Sequence, residues 1–340
     1  MVSILEIIQQ GKRDLLIGEI AMTQRMLAAY ELVWLEVERQ LLRLDTNLAA
    51  AGPLDSGAVD AWLRQQDWYT QLLRSIEAEF TRFNTDAATV LGRTQAEAVG
   101  TSRLASDRVR RWIGDRAGFV ADVRPQVFER WVSATLPDSP LRASIERHGV
   151  EAAKVIERRM TEGIGSGKGV RSIVNGIRAE LGPESPKPYE LATLVRTETN
   201  RAYRGSFRDD MEAMGPDVIS GWEWLAAHSL RTCPACLAMD GRVFPYDQYP
   251  DTQHVNCRCI VRPRVNENLI PGANPPRKLG SEYFADLPEK DQRRILRTQG
   301  RLDAYKDGVP LSEMVGVRAN ATWGPSVYIK PVRDLKEARP

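Results

Sequence analysis

The stretch from Cys233 to Cys259 constrains this chain more than any other. It reads C-P-A-C-L-A-M-D-G-R-V-F-P-Y-D-Q-Y-P-D-T-Q-H-V-N-C-R-C and holds all four cysteines of the 340 residues, with His254, one of three histidines, among them. A C-x-x-C pair can place two sulfurs on one tetrahedral ion, and the H-x-x-C-x-C group can supply the remaining donors. The spacing therefore predicts a metal knuckle built from Cys233, Cys236, His254 and one or both of Cys257 and Cys259. Five donors compete for four places, so one is spare. A disulfide pair and plain reduced thiols are the alternatives. A catalytic metal fits less well, because no H-E-x-x-H or H-x-E pair accompanies the cysteines. Asp240-Gly241 between the pairs predicts a hairpin turn that returns the second donor group to the first.

Net charge is +2 with 27% charged residues, which describes a mixed-charge chain and does not by itself imply nucleic-acid binding. No apolar run is long enough to span a bilayer. The opening MVSILEIIQQGKRDLL lacks a basic segment followed by an apolar core, so no secretion signal is expected. A reducing compartment favours metal over disulfide.

Residues 1–135 carry helical periodicity. Met26, Tyr30, Val33, Val37, Leu41, Leu44 and Leu48 form one stripe, closed by Ala51-Gly52-Pro53. A second long helix begins near Ser56, with Trp62, Tyr69, Leu73, Ile76, Phe80, Phe83 and Val90 on its stripe. Together they predict an antiparallel helical hairpin. The stripes read as bundle core, with an oligomerisation face as the alternative. Helical pattern continues over 101–135 with Arg103, Arg108, Arg110, Arg111 and Arg116 around Trp112. Interleaved aspartates make a solvated face the better reading than a nucleic-acid site.

Leu136 to Pro140 reads as a turn and a domain boundary, followed by helices over about 140–148, 150–162, 170–181 and 189–214. The glycine run 162–169 resembles a phosphate-binding loop but fails its pattern. Glu162 stands where the first glycine belongs, and Gly169 where Ser or Thr belongs. It reads as a helix–helix turn. Strands are expected at 218–225, at Val243-Phe244 and at Ile260-Val261, a loop over 262–278, a helix over about 289–305, and an extended segment or docking arm after Trp323.

These residues resemble the phage Mu F-like minor head protein family, also called phage head morphogenesis proteins. The resemblance rests on Arg196-Thr197-Glu198 in a helix, a strand with Trp222 or Trp224, then Thr232, Cys233, Cys236, Asp240, Gly241 and Phe244. His254, Asn256, Cys257, Arg258 and Cys259 complete it, and it covers about residues 150–263. Members often carry an acidic residue shortly before the first cysteine; here His228-Ser229-Leu230 occupy that segment, which adds His228 as an outside metal candidate. Some relatives carry a toxin or enzyme domain after this module, but residues 264–340 show no nucleophile–base constellation.

The expected fold is mainly α with a small α+β metal-knuckle module and a long N-terminal helical hairpin. The expected domains are 1–136, an arm contacting portal or capsid; 137–263, the head-morphogenesis module; and 264–340, a C-terminal extension. The resemblance implies a non-enzymatic minor capsid protein in the virion of a tailed phage, assembled in the host cytoplasm. It would sit in several copies at or near the portal vertex and assist head assembly and DNA packaging or ejection. Its implied partners are the portal protein, the major capsid protein and packaged DNA, without a membrane, and its implied cofactor is structural Zn2+.

Two other functions compete with this reading. A metal-dependent nuclease would use His254, Asn256 and His228. A DNA-binding module would use Arg231, Arg242, Arg258, Arg262 and Arg264 around the knuckle, unless these pair with Asp240, Asp247 and Asp251. Arg196 and Glu198 are expected to brace the helix against the cluster.

Overall fold

The computed structural model describes residues 2–43, 58–118, 131–132, 140–166, 168–250, 254–319 and 326–336. The turn at 51–53, the boundary at 136–139, Asp251 and the last four residues lie outside them. The described elements are α1 (Ile4–Leu42), α2 (Val59–Arg64), α3 (Asp67–Ala117), α4 (Pro140–Gly165), α5 (Val170–Leu181), α6 (Pro186–Glu212) and β1 (Ile219–Leu225). They continue as α7 (Pro234–Met239), β2 (Val243–Pro245), β3 (Ile260–Val265), α8 (Gly280–Ala285), α9 (Glu289–Leu296), α10 (Gln299–Lys306), β4 (Val315–Arg318), β5 (Ser326–Ile329) and α11 (Val332–Lys336).

The chain forms two compact units, Met1–Leu16, Glu97–Trp131 and Thr199–Pro340 in one, and Ile17–Ala96 and Val132–Glu198 in the other. In the second unit α1 and α3 run antiparallel, with Tyr30 packed edge-on against Phe83 at 5.5 Å. From Met26 onward the buried α1 residues are Met26, Tyr30, Trp34, Val37 and Leu41. The expected stripe is thus right in period but displaced at one position, because Trp34 goes inside and Val33 is only half-buried. The same slip places Leu63, Leu72 and Leu91 inside where Trp62, Leu73 and Val90 were expected. At 33/34 and 90/91 the larger side chain of the two is the one buried, which removes more apolar area from water. Tyr30 Oη donates to the Leu181 carbonyl at 2.5 Å and so ties α1 to the end of α5.

Two helical boundaries differ from expectation. The second helix breaks after Arg64, and α3 then runs unbroken to Ala117 through the arginine-rich stretch. In α4, Gly149 lies inside one helix rather than between two. A single glycine costs a helix only about 1 kcal/mol, too little to end it. The glycine run does end α4, and α5 starts at Val170 as the periodicity predicts.

In the first unit, α1, α3 and α6 meet at Gly11. A Cβ there would lie 2.6 Å from the Tyr203 hydroxyl and 2.9 Å from Ala105 Cβ, so only glycine permits this approach. A three-stranded antiparallel sheet in the order β2-β1-β3 follows. Because β1 is central, its residues are buried on both faces except Ser220, and Glu223 is drawn inside with them. The strand therefore shows no alternation of buried and exposed residues. β3 extends to Val265 through Pro263, where a loop was expected. Proline is tolerated there because β3 is an edge strand.

The last third also departs from expectation. The helical pattern at 289–305 is two helices, divided at Arg297 in a left-handed conformation (φ 69°) and restarted by the Thr298 cap. β4 and β5 pair antiparallel, and α11 follows. Residues 326–329 are therefore extended, as expected, but as one strand of an antiparallel pair rather than a docking arm. Leu237 of α7 shares a buried core with Phe284, Leu296, Leu302, Met314 and Leu335.

Candidate metal centre

β1 and β3 position the cysteines. Their register sets Leu225 opposite Ile260, so the chain just before β3, at Cys259, arrives beside the end of β1. From there the chain turns through 226–232 into α7. Cys233 caps α7: its sulfur accepts from the Cys236 N–H at 3.3 Å, and Pro234 follows at the first helical position, where a missing N–H costs nothing. The expected Asp-Gly hairpin is a different device. Arg242 N–H bonds Met239 O at 2.9 Å, with Asp240 at φ −61° and ψ 124° and Gly241 at φ 84°, which is a type II turn from helix to strand. The sheet, not a hairpin loop, brings the second donor group back.

Nε2 of His254 lies 3.1 Å from Cys233 Sγ and 3.1 Å from Cys236 Sγ, and Cys236 Sγ lies 3.8 Å from Cys257 Sγ. Two groups whose donor atoms all fall within 4.8 Å share Cys236: Cys233, Cys236 and His254, and Cys236, Cys257 and Cys259. The structure thus brings together all five residues that the spacing singled out. All four cysteines are free thiols. A tetrahedral ion with sulfur at about 2.3 Å separates two sulfurs by about 3.8 Å, the spacing of Cys236 and Cys257. Soft donors, tight spacing and burial together fit a zinc-type ion.

In the protein alone the thiols divide, with Cys233 and Cys257 lowered and Cys236 and Cys259 raised. The hydrogen bond from Cys236 lowers the Cys233 thiol to about 5 against the opposing effect of burial. Bonds from Cys236 and Cys259 hold Cys257 well below the ordinary thiol range, while Cys236 itself is pushed up. Burial disfavours charge on His254, but its bonds to Cys233 and Cys257 and their negative charge outweigh it and push His254 up to about 11. A thiolate nest of this kind exchanges protons for a divalent cation.

Two residues outside the donor set hold the loop. Asn200 on α6 donates through Nδ2 to the carbonyls of Cys257, at 2.5 Å, and Cys259, at 3.3 Å. Asn256 has a left-handed backbone, φ 66°. Asparagine adopts that region more readily than other side chains, which gives Asn256 a conformational role in H-V-N-C. Asn256→Ala is expected to destabilise the module by about 1 kcal/mol more than Asn256→Gly. Urea unfolding of both variants checks this; an equal loss in both would contradict the backbone role.

Several expectations need correction. Arg196 pairs with Glu19 at 2.7 Å and buried Glu198 accepts from Gln95 at 3.3 Å, while Asn200 on the same helix reaches the donor loop. His228 joins neither donor group among the described residues. It stacks on Tyr283 at 4.9 Å and places Nε2 2.8 Å from Asp240 Oδ2. The nuclease constellation of His228, His254 and Asn256 therefore does not form as one site.

The arginine rim is also divided. Arg262 is buried and bonds Glu223 at 2.6 and 2.9 Å, Arg264 reaches the same carboxylate at 3.1 Å, and Arg231 and Arg242 are exposed. Arg277, which sequence reasoning missed, grips Asp240 with two bonds of 2.7 and 2.8 Å and Glu223 at 3.0 Å. Burial alone raises the Asp240 carboxyl, but the bonds from Arg277, the Ala226 N–H and His228 outweigh it and hold Asp240 low. Arg277 carried no signal, because its partners lie dozens of residues away in the chain. Asn200 did carry one: a polar residue one turn after Arg196 in a helix whose other face is apolar.

Among the described residues no helix is long and apolar enough to cross a membrane. Residues 154–262 match the family model described as Phage Mu protein F like protein. No curated protein and no solved structure matches the chain.

Proposed function

We propose, from a chain whose residues 154–262 match the Phage Mu protein F like family, a minor head protein of a tailed bacteriophage. The observation that carries the reading is coincidence: the family match spans the same residues in which the donor cluster, its sheet and its bracing helix α6 lie. In this reading the protein is a structural virion component at or near the portal vertex. It is assembled in the host cytoplasm in several copies and assists head assembly and DNA packaging or ejection. Residues 1–136 serve as the arm toward portal or capsid protein, 137–263 as the head-morphogenesis module and 264–340 as an extension of it.

Zn2+ held by four of Cys233, Cys236, His254, Cys257 and Cys259 crosslinks the loop 254–259 to α7. A structural ion supplies folding free energy and no reaction, which supports a non-enzymatic role. The separation of His228 from the donor groups supports this over a nuclease.

Quantitative peptide mass spectrometry of DNA-filled particles and of proheads tests the reading. A fixed ratio to portal subunits, at or below about one, is expected in at least one of the two. Absence of the chain from both overturns it.

A further inference from the structure

Arg204 is the most unusual charge in the protein. Its side chain is buried, with 2% of the residue exposed. Guanidinium groups stay protonated in proteins, so this is a permanent cation in the interior. Nη2 donates to the Pro250 carbonyl at 2.8 Å, and the group lies over the Trp224 ring at 4.7 Å. Its Nε and Nη1 have no hydrogen-bond partner, and no carboxylate pairs with it among the described residues. Arg262, equally buried, is neutralised by Glu223. A ring face and one carbonyl do not neutralise a desolvated guanidinium, since buried charges need an opposite charge beside them.

Among the described residues, the groups whose negative charge acts on it are the Tyr249 hydroxyl and the thiols of Cys257 and Cys259. A phenol is neutral near pH 7, which leaves the thiols. Arg204 also stands one helical turn after Asn200, whose amide holds the Cys257 and Cys259 carbonyls, so both residues face the same loop.

The charge of a metal centre depends on its donors. A divalent ion with two thiolates and neutral donors has no net charge; with three thiolates it carries one negative charge and with four it carries two. Only the last two match a buried cation. We propose that Arg204 is the built-in counter-charge of an anionic metal–thiolate centre, since any four of the five donors include at least three thiolates. The proposal rests on the structural-metal reading, in which four of the five donors hold the ion.

The test uses the full chain loaded with Co2+, whose sulfur-to-metal charge-transfer intensity scales with the number of bound thiolates. Wild type is expected to show three or four. In chelator competition, Arg204→Met is expected to lose about 10- to 100-fold in Co2+ affinity, and Arg204→Lys to recover most of it. Arg204→Gln keeps hydrogen-bond donors without charge and is expected to behave like the methionine variant.

A wild-type count of two thiolates or fewer overturns the proposal and needs no variant to fold. So does wild-type affinity in folded Arg204→Met or Arg204→Gln. These results leave the metal site standing. A wild-type chain that takes up neither Co2+ nor Zn2+ overturns the metal reading and the proposal together.

Discussion

Cys236→Ala is expected to abolish zinc binding and to unfold the module around β1. Its sulfur belongs to both donor groups, so it is the donor that links Cys233 and His254 to Cys257 and Cys259. A structural zinc site contributes on the order of 10 kcal/mol or more, comparable with the whole stability of a domain. Without a metal, the same substitution removes only one small buried side chain, and its cost is about 1 kcal/mol. The two cases therefore differ by a wide margin. Zinc content by elemental mass spectrometry and thermal unfolding followed by tryptophan emission distinguish them, since Trp222 and Trp224 share the core with Cys236. With five donors for four places, at least one of the other single variants is expected to keep its zinc. A Cys236→Ala protein with unchanged melting temperature would remove the metal from the account.

Much of this site could be read before any coordinates, and the reason is local. Cys233 and Cys236 sit on one turn of α7, and His254, Cys257 and Cys259 in one loop, so spacing alone sets the two halves. The helical stripes were legible for the same reason, since periodicity is a property of neighbours. What stayed hidden is set by distant parts of the chain. That Trp34 and not Val33 faces inward depends on how α1 meets its neighbours. Glu223 looks like a solvent-facing residue on an alternating strand until β2 and β3 flank β1. Asn200 meets Cys257 across 57 residues and Arg277 meets Asp240 across 37, and no periodicity encodes such pairings. The extended reading after Trp323 anticipates β5, but its partner β4 was missed because four residues are too short to show alternation.

Glu223→Gln is expected to destabilise the first unit by about 3–5 kcal/mol, although the side chains are nearly the same size. Glu223 bonds Arg262 at 2.6 and 2.9 Å, Arg277 at 3.0 Å and Arg264 at 3.1 Å. The Glu223 and Arg262 side chains are only 4% and 2% exposed, so solvent does not screen the pair. Arg277 retains Asp240, and Arg264 is 28% exposed and can turn to water, but Arg262 is left as a buried cation with no carboxylate. That stranded charge, more than the lost bonds, sets the size of the effect. Arg262→Met alone is expected to cost less than Glu223→Gln, because Glu223 keeps Arg264 and Arg277. The double variant Glu223→Leu, Arg262→Met leaves no stranded charge and is expected to regain most of the stability. A drop in melting temperature of roughly 10 °C or more for Glu223→Gln, largely reversed in the double variant, is the expected pattern. Additive losses would mean that the pair acts through packing alone. β3 begins at the residue after Cys259, so the bond from β1 to Arg262 also holds the register that aligns the donor loop. Zinc affinity is therefore expected to fall with stability in Glu223→Gln and to return with it.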